Sequence, residues 1–211
     1  MKLSEIRKDY SYKSLDINHV THEPFHQFKI WFEEAIDSEV PEVNAMCVST
    51  FGLNGYPNGR IVLLKEVDHG FVFFTNYESE KGQEIAANPK ASATFFWPEL
   101  ERQVRITGDL EKVSPEESDT YFFSRPYGSQ IGAWTSPQSR EISSREELDQ
   151  IQKSVEDRFS KEPITRPPHW GGYRLIPFKV EFWQGRPSRL HDRICYQKQI
   201  NGEWKISRLA P

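Results

Sequence analysis

The apolar positions along the chain recur with two different periods. Phe28, Trp31, Phe32 and Ile36 fall at helical spacing behind Pro24, which suits a first helical turn, and predict a helix over Phe25 to Asp37. The next apolar runs are short. Ala45 to Phe51 predicts a strand, closed by the turn signal Asn54-Gly55. Arg60 to Val67 predicts a second strand, and its unbroken run Ile61-Val62-Leu63-Leu64 reads as a strand buried on both faces. Asp68-His69-Gly70 marks a turn before a strand over Phe71 to Thr75. A short helix follows from near Ser79 to near Asn88-Pro89, then strands over Ala91 to Trp97 and Gln103 to Val113.

Ser114-Pro115-Glu116-Glu117 combines an N-cap serine, a proline at the first helical position and a capping-box glutamate, a strong helix start. Ser144 and Glu147 repeat that spacing and open the longest predicted helix, which ends near Phe159 ahead of Pro163, Pro167 and Pro168. Tyr173 to Trp183 and two shorter segments, around Cys195 and Trp204, complete the strands, with Asn201-Gly202 as a hairpin turn. Helices interrupt the strands without strict alternation. The expected fold is therefore mainly β, an antiparallel sheet or barrel with peripheral helices. Neither a Gly-x-Gly-x-x-Gly nor a Gly-x-x-x-x-Gly-Lys segment is present, which argues against a Rossmann or P-loop nucleotide site.

A length of 211 residues suits one domain, expected over residues 21–211, and the polar first twenty residues are expected to form a mobile segment. The charged stretch Met1 to Tyr10 lacks the apolar core of a secretion signal, and no apolar run is long enough to span a membrane. Cys47 and Cys195 lie far apart and read as reduced thiols of a cytoplasmic protein. A net charge of −4 disfavours a nucleic-acid partner.

Within that acidic chain, Arg60 and Lys65 bracket the most apolar run, Lys81 lies near a helix N-terminus and Arg125 follows a helix. All four are candidate anion ligands, arginine because its planar fork matches a phosphate; each also reads as an ordinary surface charge. Arg189-Leu190-His191 is the sharpest cluster. If it lies on a strand, Arg189 and His191 share a face with a fixed charge and a group that titrates near neutrality, unless it is simply a polar strand edge. His22 and His26 have the spacing of a metal pair but lack a third ligand, so no metal is expected.

Nine segments together carry a resemblance: Arg60-Ile61-Val62-Leu63-Leu64-Lys65, Phe74-Thr75-Asn76, Glu101-Arg102-Gln103-Val104, Tyr121-Phe122-Phe123-Ser124-Arg125-Pro126, Ser129-Gln130-Ile131-Gly132-Ala133-Trp134, Trp170-Gly171-Gly172, Glu181-Phe182-Trp183-Gln184-Gly185, Arg189-Leu190-His191-Asp192-Arg193 and Arg208-Leu209-Ala210-Pro211. In this order, nearly end to end, they resemble the pyridoxine/pyridoxamine 5′-phosphate oxidase family. The resemblance implies an FMN-binding split β-barrel, a homodimer in which both subunits line each flavin site, and oxidation of pyridoxine or pyridoxamine 5′-phosphate to pyridoxal 5′-phosphate with oxygen as acceptor. It implies FMN contacts from Arg60, Ile61, Val62, Leu63, Leu64, Lys65, Phe74, Thr75 and Lys81, and from Gln103, Gln138, Ser139, Trp183 and Arg193. It implies a substrate phosphate held by Lys65, Tyr121, Arg125 and Ser129, catalytic contacts from Arg189 and His191, and Arg7 and Tyr10 on a closing N-terminal segment. The chain departs from the family at Glu80, where a basic residue is frequent, and at Phe74, where a tyrosine is common. A phenazine-type oxidase or flavin reductase on the same barrel, and a non-catalytic flavin or pyridoxal-phosphate carrier, are the alternative expectations.

Overall fold

The computed structural model describes Leu3 and residues 9–211. Among the described residues, nine strands form one antiparallel sheet: β1 (Ala45–Phe51), β2 (Pro57–Leu63), β3 (Glu66–Val67), β4 (Phe71–Asn76), β5 (Lys90–Trp97), β6 (Arg102–Lys112), β7 (Trp170–Gln184), β8 (Asp192–Lys198) and β9 (Trp204–Leu209). The order is β2-β1-β5-β6-β7-β4-β3. The long β7 pairs β4 through its first half and β8, which pairs β9, through its second. The sheet curls into a half-barrel with five helices around it: α1 (Pro24–Asp37), α2 (Glu80–Ala87), α3 (Pro115–Ser124), α4 (Tyr127–Thr135) and α5 (Arg145–Phe159). The sequence-based expectation of a mainly β barrel with peripheral helices agrees with this.

The inner face of the half-barrel is closed by α1. Phe28 and Trp31 are buried, Phe28 meeting Phe71 edge-on at 5.0 Å and Trp31 meeting Phe182 at 5.2 Å. Each such ring contributes about 1.5–3 kcal/mol by leaving water. Arg102, 3% exposed, stacks 4.2 Å over Trp31 and is held by Glu34 and Gln184, so its buried charge is paired. A smaller core of Phe122, Ala133 and Trp170 joins α3 and α4 to β7.

Two expectations need correction. Arg60 to Val67 is not one doubly buried strand. It breaks at Leu64 and Lys65, whose N–H groups turn to Asn44 and Val72, and β2 alternates exposed and half-buried positions. The physical reason is that β2 is the sheet's edge: among the described residues it pairs with β1 alone. The helix α4 was not anticipated: its N-cap is Pro126 with no side-chain cap, and Gly128 and Gly132 dilute the helical signal.

Close backbone approaches fix several glycines. A Cβ on Gly82, in the first turn of α2, would stand 2.1 Å from the Tyr77 carbonyl oxygen. Gly82→Ala is expected to destabilise the protein by about 1–3 kcal/mol, read as a drop in the urea midpoint with unchanged m-value.

Candidate active site

A cleft of about 670 Å³ opens between β2, the end of β4, α2, α3 and α4. Its wall on β2 is Arg60, Ile61, Val62 and Leu63, and Lys65 follows. Phe74 and Thr75 come from β4, Lys81 from α2, Tyr121 from α3, Ser129 from α4, and Arg125 and Gln138 from the segments after α3 and α4. Twelve of the sequence-predicted site residues therefore share one cavity.

The cleft has two cationic corners. In the first, Arg60 donates to Glu84 at 2.8 Å and to the Asn58 carbonyl at 3.1 Å, while Lys81 Nζ donates to Thr75 and Gln138 at 2.8 Å each. Ser79 caps α2 by accepting from the Gly82 N–H, which sets Lys81 in the first turn, where backbone N–H groups also favour an anion. Burial first, and the nearby Arg60 charge second, push the Lys81 ammonium down to about 8, with Glu84 opposing. Glu84 is 1% exposed. Burial alone would raise its carboxyl, but hydrogen bonds from Thr50, Asn58 and Arg60 outweigh that and hold it below the usual range. Glu80 is exposed and is not among the residues lining the cleft.

The second corner is built on stacked rings. Phe74 lies 4.0 Å from Tyr121 and 5.5 Å from Trp170, nearly parallel to both. Lys65 Nζ sits 5.9 Å over Tyr121, and the Arg125 guanidinium sits 4.6 Å over Trp170. Among the described residues, Arg125 Nη1 is the buried side-chain polar atom left with no hydrogen-bond partner. Burial lowers the guanidinium's pKa. A buried donor in this state is costly unless a ligand completes it.

The remaining predicted residues lie elsewhere on the sheet. Phe96, Gln103, Trp183, Arg193 and Leu209 are successive partners across β5, β6, β7, β8 and β9, so they form one row on one face. Phe95, Val104, Phe182 and Ile194 alternate with them into the core, so the row faces outward. Glu181, two residues along β7, holds Arg193 through two bonds of 2.8 and 3.1 Å. Ile61 belongs to the same outward face, through its pairing with Cys47 and on to Thr94 and Arg105. Both Ile61, 66% exposed, and Phe96, 55% exposed, leave apolar surface uncovered there.

Trp183 stacks against His191 at 4.5 Å, and Tyr10 meets both rings at 5.9 Å. His191 Nδ1 accepts from the Arg186 N–H at 3.1 Å. Burial, then the Arg189 charge, lower the imidazole's pKa. The condition under which Arg189 and His191 would share a strand face, that they lie on a strand, is not met. Arg189 ends a short 3-10 turn, Pro187–Arg189, closed by the Leu190 N–H on the Pro187 carbonyl, and β8 begins only at Asp192. The alternation argument for a shared face therefore fails; the φ values of 57° at Ser188 and 60° at Arg189 set the direction of Arg189 instead.

None of Tyr10, Gln103, Trp183, Arg189, His191 and Arg193 lines the cleft, nor does Ser139, which is exposed at φ 71°, or Leu64, which is buried in the main core. Arg7 lies outside the described residues. Sequence reasoning missed Glu84 and Thr50, which fix Arg60; Glu84 stands one turn after Lys81 on α2, a spacing that could have flagged it. Among the described residues no group of three His, Cys, Asp or Glu side chains is arranged for a metal.

Residues 32–157 match the family described as pyridoxamine 5′-phosphate oxidase, and residues 170–211 match the pyridoxine 5′-phosphate oxidase C-terminal dimerisation region. A Paraburkholderia phymatum protein named pyridoxine/pyridoxamine 5′-phosphate oxidase is 57% identical over 210 residues, 99% of each chain. A Cupriavidus necator protein of the same name is 53% identical over 211 residues, covering 100% of this chain and 99% of that one. Among solved structures, PhzG from Burkholderia lata in complex with tetrahydrophenazine-1-carboxylic acid has a TM-score of 0.86 at 30% identity, over 92% of this chain and 95% of that one. An FMN-binding protein from Nostoc punctiforme shares the fold, with a TM-score of 0.72 at 18% identity, over 91% of this chain and all of that one. The chain belongs to the pyridoxamine 5′-phosphate oxidase family.

Proposed function

We propose that the protein oxidises pyridoxine 5′-phosphate and pyridoxamine 5′-phosphate to pyridoxal 5′-phosphate with FMN and oxygen, as a homodimer in which each active site takes residues from both copies. The observation that carries this reading is the pair of cationic corners in one cleft, the second ending in the unpartnered Arg125 Nη1. Two phosphorylated molecules bound side by side need two such corners.

Arg60 and Lys81, with Thr75 and Gln138, suit the FMN phosphate, and Ile61, Val62, Leu63, Leu64, Lys65 and Phe74 belong to the segments beside it. Lys65, Tyr121, Arg125 and Ser129 suit the substrate phosphate. The second copy supplies Gln103, Trp183 and Arg193, with Ser139 completing the cofactor set, and presents Arg189 and His191 to the substrate ring. The outward row with its uncovered Ile61 and Phe96, and the C-terminal match to a dimerisation region, support that arrangement. FMN, when bound, would supply the acceptor for the hydride leaving the substrate's C4′ while the hydroxyl or amine proton passes to solvent; oxygen would take up the electrons as hydrogen peroxide, and with the amine substrate water would hydrolyse the resulting imine to the aldehyde and ammonia. The protein's task is to orient. The phosphate grip provides binding energy remote from C4′ that aligns it. Because His191 Nδ1 accepts from Arg186, the neutral ring carries its proton on Nε2 and can donate from there.

A phenazine-type activity is the second reading, favoured by the likeness to PhzG. A non-catalytic flavin or pyridoxal-phosphate carrier is the third. Anaerobic addition of pyridoxine 5′-phosphate to the purified, FMN-loaded protein separates them. Bleaching of the flavin absorbance is expected. A flavin that stays oxidised, or that bleaches only with tetrahydrophenazine-1-carboxylic acid, overturns the oxidase reading.

The Lys81 ammonium gives a pH signature. Its folded pKa, about 8, lies below its ordinary value of 10.5, so folding disfavours the charged form. Without ligand, that group's penalty is full below pH 8 and is relieved as pH rises toward 10.5. Phosphate binding has the opposite requirement, because it needs the cation. FMN affinity is expected to fall above pH 8 by up to about tenfold per pH unit, read by flavin fluorescence titration. Lys81→Arg, which stays charged, is expected to flatten that dependence.

A further inference from the structure

We propose that Glu101 and Asp192 are positioning residues for this reaction: their carboxylates clip residues 11–15 to the barrel and thereby hold Tyr10 against His191 and Trp183. The inference rests on the oxidase reading of the His191 corner.

The clip has two jaws. Glu101, 6% exposed at the tight connection between β5 and β6, accepts the Ser11 and Tyr12 N–H groups on one oxygen at 2.8 and 3.0 Å. Its own carbonyl accepts the Gly185 N–H at 2.8 Å, which ties the jaw to the end of β7. Asp192 accepts the Leu15 N–H at 3.0 Å on one oxygen and Arg208 at 2.8 Å on the other. Arg208 then reaches Asp16 at 3.0 Å and the Leu15 carbonyl at 3.3 Å, so the second jaw closes from both sides. Bonds to an ionised acceptor are the stronger kind, and here they hold backbone that lies outside any helix or strand.

Between the jaws and the chemistry lies Gly185. A Cβ there would stand 2.7 Å from Tyr10 Cγ and 3.0 Å from Glu101 Cβ. The seat beneath the Tyr10 ring therefore exists only because that position is glycine. Asp192 lies in sequence between His191 and Arg193, so one carboxylate couples the strap to the strand start that presents both. Tyr10 makes its ring contacts with Trp183 and His191 and stays outside the main core, which is the arrangement of a positioned lid residue rather than of a core residue.

The test uses the full-length, FMN-loaded protein with Glu101→Ala, Glu101→Gln and Gly185→Ala. Three quantities are read: KM and kcat for pyridoxine 5′-phosphate, flavin content, and the rate of trypsin cleavage after Lys13 followed by mass spectrometry. Glu101→Ala is expected to raise KM about tenfold with kcat within about threefold, normal flavin content and faster cleavage after Lys13. Glu101→Gln keeps an acceptor for the two N–H groups and restores most of the wild-type behaviour. Gly185→Ala leaves both carboxylates in place, crowds Tyr10 from beneath and raises KM alike; should Glu101→Ala fail to fold, this variant carries the same readouts. Faster cleavage with unchanged KM shows that the strap does not position substrate and overturns the proposal. Unchanged cleavage and unchanged KM show that there is no clip. Wild-type protein that leaves pyridoxine 5′-phosphate unoxidised overturns the oxidase reading instead, and the cleavage comparison still decides whether the clip exists.

Discussion

Arg189→Ala is expected to lower kcat about a hundredfold while the flavin content of the purified protein stays within about twofold of wild type. Arg189 is exposed at the tip of a turn, and both it and Ser188 have φ values near +60°. Non-glycine residues in that region carry strain of about 1–3 kcal/mol each, which persists only where the surroundings enforce it. Pro187 and the Leu190-to-Pro187 bond enforce it here, at the turn that leads into His191. The Arg189 charge also helps depress the His191 pKa, after burial. Removing it raises that pKa, so the acidic limb of the pH–rate profile is expected to move to higher pH in the variant. Steady-state kinetics, the absorbance ratio of flavin to protein and the pH profile together check this. Equal loss of turnover and of flavin would make Arg189 a cofactor ligand.

Much of the fold was legible because local signals and burial agree. The Ser114 capping box predicted α3, and both of its reciprocal bonds form. The helical apolar spacing of α1 places Phe28 and Trp31 in the core. Signals failed where tertiary context decides. The apolar run Ile61 to Leu64 looked like interior, yet β2 is an edge strand with Ile61 largely exposed; Leu64 is buried in the core and Val62 packs half-buried against it. Apolar character alone does not say whether a strand meets its own core, a ligand or another chain.

The candidate site was legible in its chemistry and hidden in its division. Arg60, Lys65, Lys81 and Arg125 stood out as cations in an acidic chain, and they share one cleft. That Trp183 and Arg193 belong to another part of the sheet, with His191 just ahead of β8 against Trp183, follows from strand register over long sequence separations, which periodicity does not report. Glu84 and Glu181 stand beside predicted anion ligands, where a carboxylate looks like a misfit. Each instead fixes the arginine beside it, Glu84 holding Arg60 and Glu181 holding Arg193.

Arg125→Ala is expected to raise KM for pyridoxine 5′-phosphate about thirty- to a hundredfold with little change in kcat. The guanidinium is stacked on Trp170, and its buried Nη1 has no hydrogen-bond partner among the described residues. Without a ligand it therefore carries a desolvation cost that no acceptor among the described residues offsets. A substrate phosphate supplies the missing acceptor and, with Lys65, the missing charge. Alanine removes that gain on binding and also the cost without ligand. The melting temperature of the unliganded variant is accordingly expected to match or exceed that of the parent, while stabilisation by added pyridoxal 5′-phosphate shrinks. Arg125→Lys keeps a charge but loses the planar fork and should recover only part of the affinity. An unchanged KM in Arg125→Ala would remove this residue from the phosphate grip, and a lowered melting temperature in the absence of ligand would make it a structural prop for Trp170 instead.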